Sequence, residues 1–283
     1  MDSFSEYYKQ NRKNLEAILF DVDGTLISGY DHAMPNAEKI IDTLNKDNFP
    51  YFIFTNGVTK SNRQKAEQLQ QSGLNISEER IISSGNVLQE YFKQNHCAGQ
   101  TFFQCGDLGE PNFAESVGVH TVRSYREREK CSGVIIGGSI LNYRSDFEAA
   151  LNLLMEKPHL PCLTANPDAL WGAKTGIRIG DGSMAKFLTM LLQEFSIDIE
   201  PIFLGKPHAP IYQLALQKIA ALYPGKKIHP EKIIALGDYP PSDVAGANNN
   251  GFISGLVLTG MANFEIAKKF SGNLQPQEIF SSL

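Results

Sequence analysis

Short apolar runs that stop abruptly at polar residues, with helical patterning between them, constrain this chain more than any other feature. Ala17 to Phe20, Tyr51 to Phe54, Ile202 to Leu204, Lys232 to Leu236 and Ser254 to Leu258 are each long enough for a strand and too short for a helix. Their continuous apolar character suits strands covered on both faces. Ala37 to Leu44 carries apolar residues at helical spacing between the first two runs. Between the third and fourth, Ile211, Leu214, Ala215 and Ile219 share one helical face. Strand, helix, strand at these lengths predicts βαβ units, and so an α/β fold with a doubly wound, parallel, Rossmann-like core.

A second block interrupts this order. It has strand patterns of its own at Thr101 to Gln104, Gly133 to Ile136 and Pro161 to Thr164. Its helical patterns lie at Val87 to Gln94, Arg144 to Met155 and Ser183 to Phe195. At 283 residues the chain exceeds the usual single-domain size. The expected division is a discontinuous core of residues 1–84 and 196–283 around an inserted, smaller α/β domain of residues 85–195.

Charge and composition narrow the partners. A net charge of −5 supplies no field for nucleic acid or an anionic membrane, so an anionic ligand must be held by local groups or a metal. Cys97, Cys105, Cys131 and Cys162 form no CxxC pair and have no His at metal spacing, which fits a reduced compartment. No apolar run approaches the ~18 to 20 residues of a membrane span, and the segment from Met1 to Lys13 is polar. A cytoplasmic location is the expectation.

In an open parallel sheet, ligands sit beyond the carboxyl ends of the strands. Four polar groups fall there: Asp21 and Asp23 after Phe20, Thr55-Asn56-Gly57 after Phe54, Lys206 after Leu204, and Asp238 and Asp243 after Leu236. These types suit phosphoryl transfer. A carboxylate nucleophile, Asp21, splits the displacement into two steps through an aspartyl phosphate. Two anions must meet, so a hard cation such as Mg²⁺ is needed. The candidate metal carboxylates are Asp21, Asp23, Asp238 and Asp243. Asp21 and Asp238 are the natural ligands, and Asp243 orients the site, contacts a metal-bound water or pairs with Lys206. Lys206 neutralises the transferring group, while the Thr55 hydroxyl and the Asn56 and Gly57 amides donate to its oxygens. Asp23, two residues beyond Asp21 on an extended segment, can protonate the leaving oxygen and then activate water.

In order along the chain, these residues resemble the four motifs of the haloacid dehalogenase-like (HAD) hydrolases. Asp21 to Thr25 matches DxDGT, Thr55 the second motif, Lys206 the third, and Gly237-Asp238 through Asp243 matches GDxxxxD. Only 28 residues separate Leu26 from Thr55, whereas 148 separate Gly57 from Lys206, so a cap domain is inserted after the second motif. That placement, with Thr55-Asn56-Gly57, Gly205-Lys206-Pro207 and Leu256 to Gly260, resembles class IIA, the NagD-like and pyridoxal phosphate phosphatase-like group. Val134 to Tyr143 and Ala165-Asn166-Pro167-Asp168 are similar to its cap strand and its T-N-P-D loop. The resemblance implies a Mg²⁺-dependent phosphatase acting on a small phosphorylated metabolite, with sugar phosphates favoured over nucleotides, pyridoxal phosphate and phosphoglycolate. Asn166, Asp168 and Trp171 become substrate-binding candidates in a loop, Ala165 to Ile177, expected to close over the site. Relatives often pair through their caps, which makes a homodimer an expectation.

The chain departs from the family in two places. Ala169-Leu170-Trp171-Gly172 lacks a proline common near Gly172, and Tyr239-Pro240-Pro241-Ser242 replaces a more polar linker. Trp171 could equally be a core anchor of the inserted domain. Three rivals stand beside phosphatase: a phosphomutase, a phospho-acceptor signalling domain and an idle phosphosugar sensor. The short gap before Thr55 argues against the first, the inserted block and Asp23 against the second, and intact motifs against the third.

Overall fold

The computed structural model describes residues 2–29, 32–140, 142–173 and 176–283. Two parallel sheets are built in turn. The strands of the first are β1 (Ala17–Phe20), β4 (Tyr51–Thr55), β5 (Ile81–Ser83), β13 (Ile233–Gly237), β14 (Ile253–Val257) and β15 (Glu278–Phe280). They lie in the order β15-β14-β13-β1-β4-β5. β1 is central, fully buried, and paired in parallel with β13 on one side and β4 on the other. Helix α2 (Ala37–Lys46) connects β1 to β4 and buries Ala37, Ile40, Ile41 and Leu44, the face that its apolar spacing predicts. Helix α3 (Asn62–Gln71) follows β4, with Ser61 capping it by accepting from the Gln64 amide.

The second sheet has the order β12-β9-β8-β6-β7, from β6 (Thr101–Cys105), β7 (His120–Val122), β8 (Cys131–Ile136), β9 (Cys162–Thr164) and β12 (Ile202–Phe203). Helices α5 (Tyr143–Glu156) and α6 (Gly182–Gln193) cover it, burying Ala149, Ala150, Leu153 and Leu154 from one and Met184, Ala185, Leu188 and Leu192 from the other. Two small hairpins complete the functional surface. β2 (Ile27–Ser28) pairs with β3 (His32–Ala33), and β10 (Leu170–Ala173) with β11 (Gly176–Ile179).

One strand belongs to a different sheet from the one expected. Ile202–Phe203 pairs in parallel with Leu163 and Thr164 of β9, at the edge of the second sheet. An apolar run identifies a buried strand but not the sheet that buries it. The core sheet is completed instead by β5 and β15, three residues each, too short to stand out as periodic segments.

Candidate active site

Three neighbouring strands of the core sheet end at one place. β1 stops at Phe20, immediately before Asp21; β4 stops at Thr55; β13 stops at Gly237, immediately before Asp238. Helix α8 (Asp243–Asn249) opens with Asp243, whose Oδ2 accepts from the Tyr239 amide at 3.0 Å and so fixes the carboxylate against the turn. Lys206 arrives from the second sheet, three residues beyond Phe203 of β12.

The Lys206 ammonium, only 3% exposed, donates to Asp21 Oδ1 and to Asp243 Oδ1, each at 2.6 Å. Burial is the largest single influence on this lysine and pulls its pKa down. The two carboxylates together outweigh it and hold the pKa well above the ordinary value. Asp21, Asp238 and Asp243 each present one oxygen to a space in which all three lie within 4.8 Å of one another. Burial, reinforced by the charges of Asp21 and Asp243, raises Asp238 well above the carboxylate range. Burial also pushes Asp243 up to about 7, with Lys206 acting in the opposite direction. Three carboxylates facing one ammonium leave negative charge to be offset, and hard oxygens at this separation fit Mg²⁺. The chain leaves Asp238 just enough room, since a β-carbon on Gly24 or Gly260 would strike its carboxylate. Asp238 Oδ2 also accepts from the Met261 amide at 2.6 Å.

The Asp23 carboxylate is not among the three clustered ones. The chain turns right after Asp21, and Asp23 bridges to Ile27 instead, with its side chain open to solvent at the mouth. Crowding by protein on the remaining sides, together with the Asp21 charge, raises its pKa; Lys65, Lys206 and Lys60 draw it back.

The Thr55-Asn56-Gly57 turn is engaged differently from expectation. The Gly57 amide donates to Thr55 Oγ1 at 3.0 Å, so within the folded chain its partner is the neighbouring hydroxyl. Asn56, 4% exposed, turns its side chain inward as a clamp. Its Nδ2 donates to the Lys206 carbonyl and to Asp168 Oδ1, each at 2.9 Å, and to Ser242 Oγ at 3.3 Å. Its Oδ1 accepts from the Lys206 amide at 2.7 Å. One amide therefore fixes the backbone of Lys206 and ties it to the loop of the second sheet. Asn166 Oδ1 accepts from the Asp168 amide at 3.1 Å, which shapes that loop from within.

Trp171 lies on the β10–β11 hairpin, half exposed, opposite Arg178. Facing residues of an antiparallel pair share one side of the ribbon. Leu170 and Ile179 thus lie on the same side as Gly172 and Ile177, and a β-carbon on Gly172 would come 3.0 Å from Met261 Cγ. Trp171 projects from the opposite side, away from Met261, and its exposure argues against a core anchor. The tip of the expected closing loop, Lys174 and Thr175, lies outside the described residues.

Sequence reasoning missed Ser242, the Met261 amide and Lys65. The first two act through positions fixed only when the strand ends converge. Lys65, 6% exposed on a helix whose other buried residues are Ala66 and Leu69, stands out only once burial is known.

Comparison with known proteins gives the family. A haloacid dehalogenase-like hydrolase model matches residues 18–120, and a HAD-hydrolase-like model matches residues 203–283. The chain is 24% identical over 254 residues to an acid sugar phosphatase of Staphylococcus epidermidis, covering 89% of this chain and 90% of the relative. It is 24% identical over 265 residues to a dihydroxyacetone phosphatase of Corynebacterium glutamicum, covering 94% and 88%. Among solved structures, one described as a possible sugar phosphatase from Cytophaga hutchinsonii superposes with a TM-score of 0.81 at 26% identity, covering 100% and 97%. A glycerol phosphate phosphatase from Mycobacterium tuberculosis, solved in complex with magnesium, gives a TM-score of 0.77 at 22% identity, covering 95% and 75%. The fold and the converging strand ends thus define a hydrolase with a Rossmann-like core and a second sheet. The two models together match most of the chain, which belongs to the haloacid dehalogenase-like hydrolases.

Burial pushes Asp168 up to about 6, against the pull of Lys206, Asn56 and Ser242. A carboxyl raised on folding contributes stability that is complete below its unfolded value of about 4 and is lost as pH rises through the folded value. Asp168→Asn is therefore expected to flatten the decline of stability between about pH 4 and 6 in urea unfolding. A decline as steep as in the wild type would contradict this.

Proposed function

We propose that this hydrolase is a Mg²⁺-dependent phosphatase that cleaves a small phosphomonoester, a sugar phosphate in class, through an aspartyl phosphate on Asp21. The observation that carries the reading is the buried Lys206 ammonium bridging Asp21 and Asp243 beside Asp238. The bridge binds Asp21 through Oδ1, which leaves its other oxygen to attack phosphorus. As the new Asp21–phosphorus bond forms, the bond to the leaving oxygen breaks, and Asp23 donates its proton to that oxygen. The raised pKa of Asp23 supports its holding that proton before the step. Asp23 then accepts a proton from water as the water attacks phosphorus, releasing inorganic phosphate and restoring Asp21. Lys206 and the Thr55 hydroxyl contact the phosphoryl oxygens in both steps. Asp21, Asp238 and Asp243 would hold Mg²⁺, which when bound offsets the repulsion between the nucleophile and the phosphoryl group.

The inserted block, expected over residues 85–195, acts in this reading as the cap that selects the leaving group. Asp168 joins it to the core through Asn56. The acid sugar phosphatase and dihydroxyacetone phosphatase relatives support a small polyol-like leaving group. Among the described residues no helix is long and apolar enough to cross a membrane.

A face of the second sheet's helices supports pairing of two copies. Tyr143 and Phe187 are exposed beside the half-buried Phe147 and Leu151, and Phe147 stacks on Phe187 at 4.9 Å. Light scattering is expected to give the mass of a dimer for the wild type and of a monomer for Phe187→Glu; a monomeric wild type would refute the pairing.

Release of inorganic phosphate from p-nitrophenyl phosphate tests the activity. It is expected with Mg²⁺, lost on chelation with EDTA, and reduced about 10³-fold or more in Asp21→Asn. Activity that survives chelation or the Asp21 substitution would overturn the reading.

A further inference from the structure

The mechanism leaves one buried cation beside the site without a task. Lys65, on the first turn of α3, is 6% exposed, and among the described residues its ammonium makes one hydrogen bond, to the Gly57 carbonyl at 3.2 Å. An ammonium has three protons to donate. A charge taken out of water with a single neutral acceptor is costly unless another partner completes it.

Its position is set by a glycine. The place where a β-carbon of Gly57 would stand is 2.5 Å from Lys65 Nζ and 3.3 Å from Thr55 Oγ1. The ammonium and the hydroxyl thus flank one point, just beyond the end of β4. Any side chain at residue 57 would occupy the ammonium's position, so Gly57 admits Lys65 to this end of the sheet.

We infer that Lys65 is a second phosphoryl-binding cation, donating to an oxygen of the phosphate group that the Thr55 hydroxyl also contacts, and that Gly57 is the residue that makes room for it. The inference rests on the phosphatase reading, because it assigns a ligand to the same site. Lys206 gives two of its three protons to carboxylates at 2.6 Å, whereas Lys65 gives one to a carbonyl and keeps more donors for an anion. Lys206 holds the nucleophile and reaches one phosphoryl oxygen, and Lys65 meets another. The surroundings agree. Burial pulls Lys65 down to about 8, and the Asp23 and Asp21 carboxylates are the charges that act most strongly against that pull, which places it among the reacting groups. A phosphate dianion entering there would supply the counter-charge that a neutral carbonyl cannot.

The test compares wild type with Lys65→Met, Gly57→Ala and the double variant in the full-length, Mg²⁺-loaded protein. Two quantities are read: the KM for p-nitrophenyl phosphate, and the protection that inorganic phosphate gives against thermal unfolding. Lys65→Met is expected to weaken phosphate binding about tenfold or more and to raise KM in step, the loss of one charge-assisted hydrogen bond. Gly57→Ala, which displaces the ammonium while keeping the lysine, is expected to reproduce much of that loss. In the double variant the glycine substitution should add less than about twofold, because its target is gone. Unchanged phosphate affinity and KM in Lys65→Met overturn the inference, and so do fully additive effects. If Lys65→Met does not fold, Gly57→Ala decides the matter by the same readings. A wild type that hydrolyses no phosphomonoester would instead defeat the phosphatase reading, while phosphate protection would still judge Lys65.

Discussion

An ammonium buried between two carboxylates organises this molecule's site. The Lys206 ammonium reaches both Asp21 at the end of β1 and Asp243 at the start of α8. Removing one partner from such a pair costs about 3–5 kcal/mol, since the charges left behind remain buried. The bridge therefore holds together segments far apart in sequence, and with Asp238 it creates an oxygen cluster that a hard cation would complete. Asp21, 14% exposed, is the member of the bridge open to a ligand.

The route by which Lys206 reaches this position explains the inserted sheet. Its chain segment leaves β12, which pairs with β9 at the edge of the second sheet, and crosses directly into the core. Asn56 grips its backbone from both sides, and the same amide holds Asp168 from the inserted block. That block is thus tied through one side-chain amide to the lysine that bridges Asp21 and Asp243. The two sheets also share one apolar cluster, in which Leu19 and Phe54 belong with Phe102, Ile135 and Leu163. Packing of this kind transmits displacement because interiors are dense and stiff.

Much of this arrangement was legible in the sequence. Four polar groups in the order expected of phosphoryl-transfer enzymes placed Asp21, Thr55, Lys206 and Asp238, and the long gap after Gly57 placed the insertion. The failures have physical causes. The run at Ile202 was assigned to the wrong sheet because burial leaves the same mark in either one. Extended geometry was carried past the end of β1 to Asp23, where the chain in fact turns and bridges to Ile27. The Gly57 amide was given to the ligand, although the fold pairs it with Thr55 Oγ1, and the inward clamp made by the Asn56 side chain was not foreseen. Side-chain amides and turn amides look alike in a sequence whether they face inward or outward. Trp171 was illegible for a related reason, because the face of a short hairpin on which a residue lies depends on register.

The central claim is that Asp21 is the atom donor on which the phosphoryl group rests between the two steps. Rapid acid quench of the Asp23→Asn variant, mixed with Mg²⁺ and p-nitrophenyl phosphate, whose leaving group departs without a proton, followed by mass spectrometry of its peptides, tests that claim directly. The account predicts a phosphoryl adduct on the peptide containing Asp21, stable to acid and lost in base, that accumulates because the variant lacks the base for hydrolysis. An adduct on another residue, or turnover by the variant with no protein adduct at any time after mixing, would contradict it.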